Sequence, residues 1–226
     1  MSLRTYPDIE QGGPEWDDLR RGMVTASVVG QLVTPSTLKP AANPASRSLA
    51  ALIVAERITG RTDPSFVSDD MERGREDEPR ARDVYAEHFA PVTEVGFMEL
   101  ETLAWTLGYS PDGLVGDDGL IEIKSRRPKK HLATILADQV PAENTAQIQA
   151  GLFVSGRQWC DYISYSGGMP LWVKRVEPDP AWHSAFDAAL RAFEKAAHAM
   201  EADYLDAVAG LPMTKYVPFG EVELKL

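Results

Sequence analysis

The chain holds one cysteine, Cys160, among 226 residues. A lone thiol excludes an internal disulfide and a zinc site built on several cysteines; it is expected to pack as a small apolar side chain. Basic residues are also in deficit: 23 Lys and Arg against 34 Asp and Glu give a formal net charge of −11. That balance argues against nonspecific coating of nucleic acid, which needs a broadly basic surface, but leaves room for a local basic groove. No apolar run approaches the roughly 18 residues of a membrane span, so no membrane partner is expected. The stretch Met1–Gln11 is polar and carries no apolar signal core, which points to the cytoplasm. Internal repeats and low-complexity linkers are missing as well. A single domain over residues 1–226 is therefore expected.

What is present is a run of helices and strands. Residues 1–13 read as an irregular lead-in and 14–21 as a short helix, with Pro14 in its first turn. Thr25, Ala26 and Ser27 can cap a second helix through Val33. Residues 34–47 hold Pro35, Pro40, Asn43 and Pro44 and read as a loop, followed by a helix over 48–59 that stops at Gly60. After a connection over 61–68, a charged helix covers about 70–89; Pro79 marks either its first turn near Glu78 or a kink. Strands follow at 92–100 and 102–107, then a hairpin. Residues 126–140 hold a loop and a short helix, 141–154 a helix, 159–166 and 171–176 strands, and about 181–209 the longest helix, with Trp182, Phe186, Leu190, Phe193 and Ala197 on one face. This order predicts an α+β or mixed α/β fold with helices on both sides of one sheet.

The chemistry concentrates in Gly108–Lys124, GYSPDGLVGDDGLIEIK. Side chains alternate along a strand. Ile121 and Ile123 therefore belong to a core, and Glu122 and Lys124 to the opposite face. The turn Gly116-Asp117-Asp118-Gly119 can fold Asp112 back beside Glu122. Two carboxylates converging with a lysine suit metal-assisted hydrolysis of a phosphodiester: hard oxygens hold Mg²⁺, and the amine positions or deprotonates water. For the strand alone a half-exposed surface hairpin is the simpler reading; the Pro-Asp turn ahead of it tips the balance to a site. Directly after it, Lys124, Arg126, Arg127, Lys129, Lys130 and His131 form a basic cluster, either a solvated loop or a DNA groove.

Pro111-Asp112 followed by Glu122-Ile123-Lys124 resembles the PD-(D/E)xK nuclease superfamily, with its restriction-endonuclease-like central mixed sheet. Three further stretches support a narrower resemblance. Gly74, Glu78 and Pro79 resemble a GxxxEP element, Leu19 to Ser27 an LRxGxxTAS element, and Gln147-Ile148-Gln149 a glutamine motif. Together they resemble the phage lambda exonuclease family, also called YqaJ-type viral recombinase or alkaline exonuclease. The motif-bearing core is about 14–176, and the long C-terminal helix is matched only in kind.

The resemblance implies a Mg²⁺-dependent exonuclease, with Mn²⁺ as a substitute, that digests one strand of linear double-stranded DNA from a 5′-phosphorylated end and leaves a 3′ single-stranded tail. It implies a toroidal homotrimer around DNA and a single-strand annealing protein as recombination partner, in a bacterial host with a phage or prophage origin. Asp112, Glu122 and the Ile123 backbone carbonyl would hold the metal, joined by Glu78. Lys124 would orient and activate water, Gln147 would act near the scissile phosphate, and Arg20 and Ser27 would hold the 5′-phosphate. Gly151, one turn beyond Gln147, would allow a close backbone neighbour. Met71 is a possible wedge between end base pairs, or a core side chain. A structure- or sequence-selective endonuclease and a non-catalytic DNA-end-binding subunit are the alternatives.

Overall fold

The computed structural model describes residues 1–63 and 68–217. In chain order, β1 (Ser2–Tyr6), α1 (Pro14–Arg20), β2 (Val24–Thr25) and α2 (Ala26–Val29) lead into a one-turn 3-10 helix (Gly30–Leu32), β3 (Val33–Thr34) and β4 (Lys39–Pro40). Next come α3 (Pro44–Thr59), α4 (Asp69–His88), β5 (Phe97–Glu101), β6 (Thr106–Tyr109), β7 (Gly113–Val115) and β8 (Gly119–Ser125). The chain continues through α5 (Pro128–Ala137), α6 (Ala142–Ser155), β9 (Trp159–Tyr165), β10 (Trp172–Val176) and α7 (Pro180–Ala207).

The expected mixed α/β fold is present, but its strands form two four-stranded sheets rather than one, with β3 and β4 paired in a short ribbon. One runs β1-β5-β6-β2, with β6 and β2 parallel; the other runs β10-β9-β8-β7, with β8 and β9 parallel. The turn Ser110-Pro111-Asp112 carries the chain from β6 in the first sheet to β7 in the second. Helices cover both faces. Ala81 and Tyr85 of α4 pack on Ile121, Ile123 and Ile163. Ile148 and Leu152 of α6, with Phe186 and Leu190 of α7, join Leu120, Cys160 and Tyr162 in the main core. Cys160 is buried there, as its apolar character predicts.

Several segments differ from the sequence expectation. Ser2–Tyr6 is an edge strand paired to β5, not an irregular lead-in. Four of its five side chains are exposed, so it lacks the alternation that marks a half-buried strand; Arg4–Glu101 and Tyr6–Glu99 hydrogen bonds hold it instead. The helix expected over 25–33 ends at Val29 and tightens into the 3-10 turn. α3 starts four residues earlier than expected, because Asn43 and Ser46 cap it reciprocally and Pro44 occupies its first position. α4 runs unbroken through Pro79, starting at the Ser68 cap rather than near Glu78. Burial of Asp77, Ala81 and Tyr85 around the proline offsets its missing backbone bond. Within the connection over 61–68, residues 64–67 lie outside the described residues.

Candidate active site

β8 carries the centre of the site. Because its side chains alternate, Ile121 and Ile123 turn to α4 while Glu122 turns to the other face, where it is 0% exposed. Lys124 follows on that face, and its Nζ lies 2.6 Å from Glu122 Oε1. The second oxygen of Glu122, Oε2, is buried with no partner in the protein. Asp112 reaches the same strand from its turn: its Oδ2 accepts the Ile123 backbone N–H at 2.6 Å. That N–H is free to do so because β7 pairs only as far as Gly113 opposite Ile121. The N–H and C=O of one strand residue face the same edge, so the Ile123 carbonyl is directed to Asp112's side of β8.

Glu78 approaches from α4. Its Oε1 accepts from Arg82 Nη2 at 2.5 Å, while Arg82 Nε donates to the Asp112 carbonyl at 2.8 Å and Nη1 lies 2.7 Å from Glu94 Oε2. Arg82 thus ties the helix to the aspartate turn. Sequence reasoning missed it; the Glu78–Arg82 spacing of one helical turn was the available signal.

The electrostatics follow from burial. Withdrawal from water pushes the Glu122 carboxyl up to about 7; Lys124 opposes this and Asp112 adds to it. Burial and Asp112 push Glu78 up to about 7 against Arg82 and Lys124. Asp112 is raised by burial, against Lys124, the Ile123 N–H and Arg82. For Lys124, burial favours the neutral amine, but Glu122 and Asp112 outweigh it and hold the ammonium above its ordinary range. The amine is therefore held as an ammonium beside these carboxylates.

Asp112, Glu122 and the Ile123 carbonyl are hard oxygens of the kind Mg²⁺ takes, and the partnerless Glu122 Oε2 is an acceptor that a cation would satisfy. The residues fit such an ion. They do not form a closed cage: among the described residues, no group of three or more Asp, Glu, His or Cys side chains is arranged to hold a metal. Glu78 is occupied by Arg82 and one oxygen of Glu122 by Lys124.

The remaining sequence-predicted residues lie around this centre. Arg20 closes α1, stacks its guanidinium 3.8 Å over Trp16, and donates through Nη1 to Ser110 Oγ at 3.2 Å, two residues before Asp112. Ser27 and Gln147 line one cavity of about 230 Å³ with Ala26, Ala146 and Trp182. Ser27 is not the helix cap: Thr25 occupies that position, and the two hydroxyls lie 3.0 Å apart. Gln149 is buried and structural, joining the Glu177 carbonyl and the Asp179 N–H. Gly151 faces the Tyr109 ring, rather than a neighbouring backbone. Met71 is 46% exposed near the start of α4, which removes the core alternative. The basic run after β8 leads into α5 and is mostly solvent-exposed at Arg127, Lys129 and Lys130, whereas its last member is not. His131 is fully buried between Ser164 and the Pro170 carbonyl, Arg127 pairs with Asp70, and Lys130 pairs with Glu143. A charge count treats each of these as free; only His131 is removed from solvent, by packing of α5 on β9.

Residues 15–158 match the family model described as a YqaJ-like viral recombinase domain. The fold is similar to an alkaline exonuclease, LHK-Exo, from Laribacter hongkongensis, with a TM-score of 0.77 and 33% identity over 88% of this chain and 100% of that one. The structure of LHK-Exo in complex with dAMP gives the same TM-score at 35% identity and the same coverage. A phage related exonuclease from Haemophilus somnus 129PT shares the fold, with a TM-score of 0.63 at 11% identity over 83% of this chain and 99% of that one. No curated protein matches the chain.

Proposed function

The chain belongs to the YqaJ-like viral recombinase family, and from that premise we propose that it is a Mg²⁺-dependent DNA exonuclease of recombination that digests one strand of linear duplex from a 5′-phosphorylated end. The observation that carries this reading is Glu122: a fully buried carboxylate with one oxygen on Lys124, the other without a partner, and Asp112 fastened to the next residue of its strand. A structural ion pair has no need of a second unpaired buried oxygen; a cation-dependent site does.

Mg²⁺ held by Asp112, Glu122 and the Ile123 carbonyl, with Glu78 adjoining, would supply Lewis acidity toward the scissile phosphate; Mn²⁺ suits the same oxygens. Lys124, held as an ammonium, donates to the attacking water and to the phosphate oxygens, whose negative charge grows in the transition state. The water oxygen bonds to phosphorus, and the bond to the 3′ oxygen of the terminal nucleotide breaks. Solvent takes the proton from the water and supplies one to the leaving oxygen. A 5′-mononucleotide departs, which agrees with the dAMP bound by LHK-Exo. The next nucleotide retains the phosphate, so every cycle restores a 5′-phosphorylated end. Arg20 receives that end, since its guanidinium lies beside the aspartate turn and matches phosphate; Ser27 assists, and Gln147 acts near the scissile phosphate. Exposed Met71 serves as an apolar wedge between end bases.

The remaining parts of the proposal are a homotrimer encircling the duplex, a single-strand annealing protein that takes the 3′ tail, and action in a bacterial cytoplasm. Digestion of end-labelled linear duplex with Mg²⁺ tests the activity. Loss of nucleotides from the 5′ label, with covalently closed duplex left uncut, is the expected result. Digestion from the 3′ label alone, or cutting of closed circles, would overturn it.

A further inference from the structure

Arg126 is a sheltered cation whose carboxylate neighbour is distant and shared with another base. Its side chain is 12% exposed, and Nη2 donates to two neutral acceptors, Asn144 Oδ1 at 2.5 Å and Tyr162 Oη at 3.1 Å. The carboxylate beside it, Glu143, stands off at 3.8 Å with the same oxygen drawn to Lys130 at 2.6 Å. Arg126 Nε is buried with no partner. Other sheltered arginines are served differently. Arg82 has Glu78 and Glu94, Arg57 has both oxygens of Glu194, and Arg157 spends its donors on three backbone carbonyls. A charge taken out of water needs a close anion or a full set of acceptors; Arg126 has Glu143 only at 3.8 Å, on an oxygen drawn to Lys130, and its Nε stays unpaired.

Its position indicates which anion. Ser125 turns to Asp77 of α4, whereas Arg126 emerges on the face of Glu122 and Lys124, bonded to Tyr162, the β9 residue in register with Glu122. Two strand residues span about 6.6 Å, a nucleotide-sized step beyond Lys124. On the other side of Asp112, Arg20 bonds to Ser110 of the same turn, and Asp112 bonds to Ile123 next to Lys124, so these contacts link Arg20 to Lys124 in series. The row Arg20, Asp112, Lys124, Arg126 therefore follows a single strand from its 5′-phosphate, past the scissile phosphate, to the next one.

We propose that Arg126 binds the phosphate one nucleotide 3′ of the scissile bond, reading backbone charge and no base. A guanidinium fork matches a phosphate. The inference rests on the nuclease reading above for the identity of the strand.

The test uses the full chain and linear duplex DNA with a neutral methylphosphonate at one defined linkage. In the wild type, neutralising the phosphate one nucleotide 3′ of the scissile bond should slow that step about tenfold, the scale of one charge-assisted hydrogen bond. Arg126→Gln keeps a donor for Asn144 and Tyr162. It should raise KM about tenfold and lower the salt slope of DNA binding by about one, and it should be indifferent to the methylphosphonate. Arg126→Lys should restore the slope. An equal methylphosphonate penalty in wild type and Arg126→Gln, or an unchanged slope, would overturn the assignment. If Arg126→Gln fails to fold, the scan on wild type decides alone: no penalty at that linkage sinks it. A wild type that binds duplex but never cuts it would sink the nuclease reading, while the salt slope would still judge Arg126.

Discussion

Lys124 Nζ lies 2.6 Å from Glu122 Oε1, and this one contact joins the amine of the site to its fully buried carboxylate. Lys124→Ala removes the donor proposed to face the reacting phosphate and also a positive charge beside the proposed cation ligands. Turnover of linear duplex should fall at least about 100-fold, the cost of losing a transition-state donor. Mg²⁺ affinity by calorimetry should be kept or rise, and DNA binding should persist. Retention of wild-type turnover would remove Lys124 from the chemistry.

The carboxyls of Glu122 and Glu78, each raised to about 7 by burial first, link proton, cation and stability. Their folded values lie above their unfolded ones, near 4.5, so the folded chain binds more protons between those limits. Their contribution to stability is full below about 4.5 and is lost as pH rises to about 7. Lys124, raised as well, stays charged throughout that window. Without divalent ions the melting temperature should therefore drop between pH 5 and pH 8. Mg²⁺ should restore it most strongly at pH 8, where the carboxylates are ionised, and activity should climb through pH 7. A melting temperature independent of Mg²⁺ at pH 8 would contradict the cation site.

Arg82 fixes the distance between α4 and the aspartate turn through the Asp112 carbonyl and Glu78. Arg82→Met keeps the apolar stem and loses these bonds. Glu78 is then freed toward Asp112, while the turn carrying Asp112 loosens. Turnover should fall about 10- to 100-fold with little change in KM for DNA, since Arg82 holds the site and not the substrate. A rise in KM with turnover intact would place Arg82 in DNA binding instead.

Packing under the site gives a stability prediction with a built-in contrast. A Cβ on Gly151 would meet Tyr109 Cζ at 2.7 Å and its hydroxyl at 2.9 Å, and that ring is only 2% exposed. Overpacking costs about 1–3 kcal/mol, against a helix-propensity gain of up to about 1 kcal/mol for Gly→Ala. Gly151→Ala should thus lower the melting temperature by a few degrees. Gly74, in α4 with open space where its Cβ would be, should show only the propensity gain. Thermal melting of the two variants checks both signs.

The heart of the site was readable because strand alternation acts on every residue of β8: Ile121 and Ile123 had to face one way, Glu122 and Lys124 the other. What escaped was long-range. β1 hides because an exposed edge strand needs no apolar rhythm. Arg82 hides because a Glu–Arg pair one turn apart is ordinary on any exposed helix face; only the fold brings the Asp112 carbonyl under it. His131 was counted with the basic cluster, solvated or DNA-facing, since nothing local reveals Ser164 and Pro170 closing on its ring. The division of the sheet likewise depends on the Ser110–Asp112 turn, whose direction no periodicity encodes.

Arg20 offers the cleanest separation of end recognition from chemistry. Its guanidinium stacks on Trp16 and reaches Ser110, yet no direct contact joins it to Glu78, Glu122 or Lys124. Burial lowers its affinity for its own proton against the pull of Asp17 and Glu56, as for a cation short of a close counter-ion. Arg20→Ala should therefore slow digestion of 5′-phosphorylated duplex about 10-fold or more, the scale of a charge-assisted bond to phosphate. On 5′-hydroxyl ends the same variant should lose little, because there is no terminal phosphate to hold. Mg²⁺ affinity should match the wild type. The readout is the ratio of initial rates on the two kinds of end. An equal loss on both would mean that Arg20 supports the Asp112 turn through Ser110, and that the 5′-phosphate is held elsewhere.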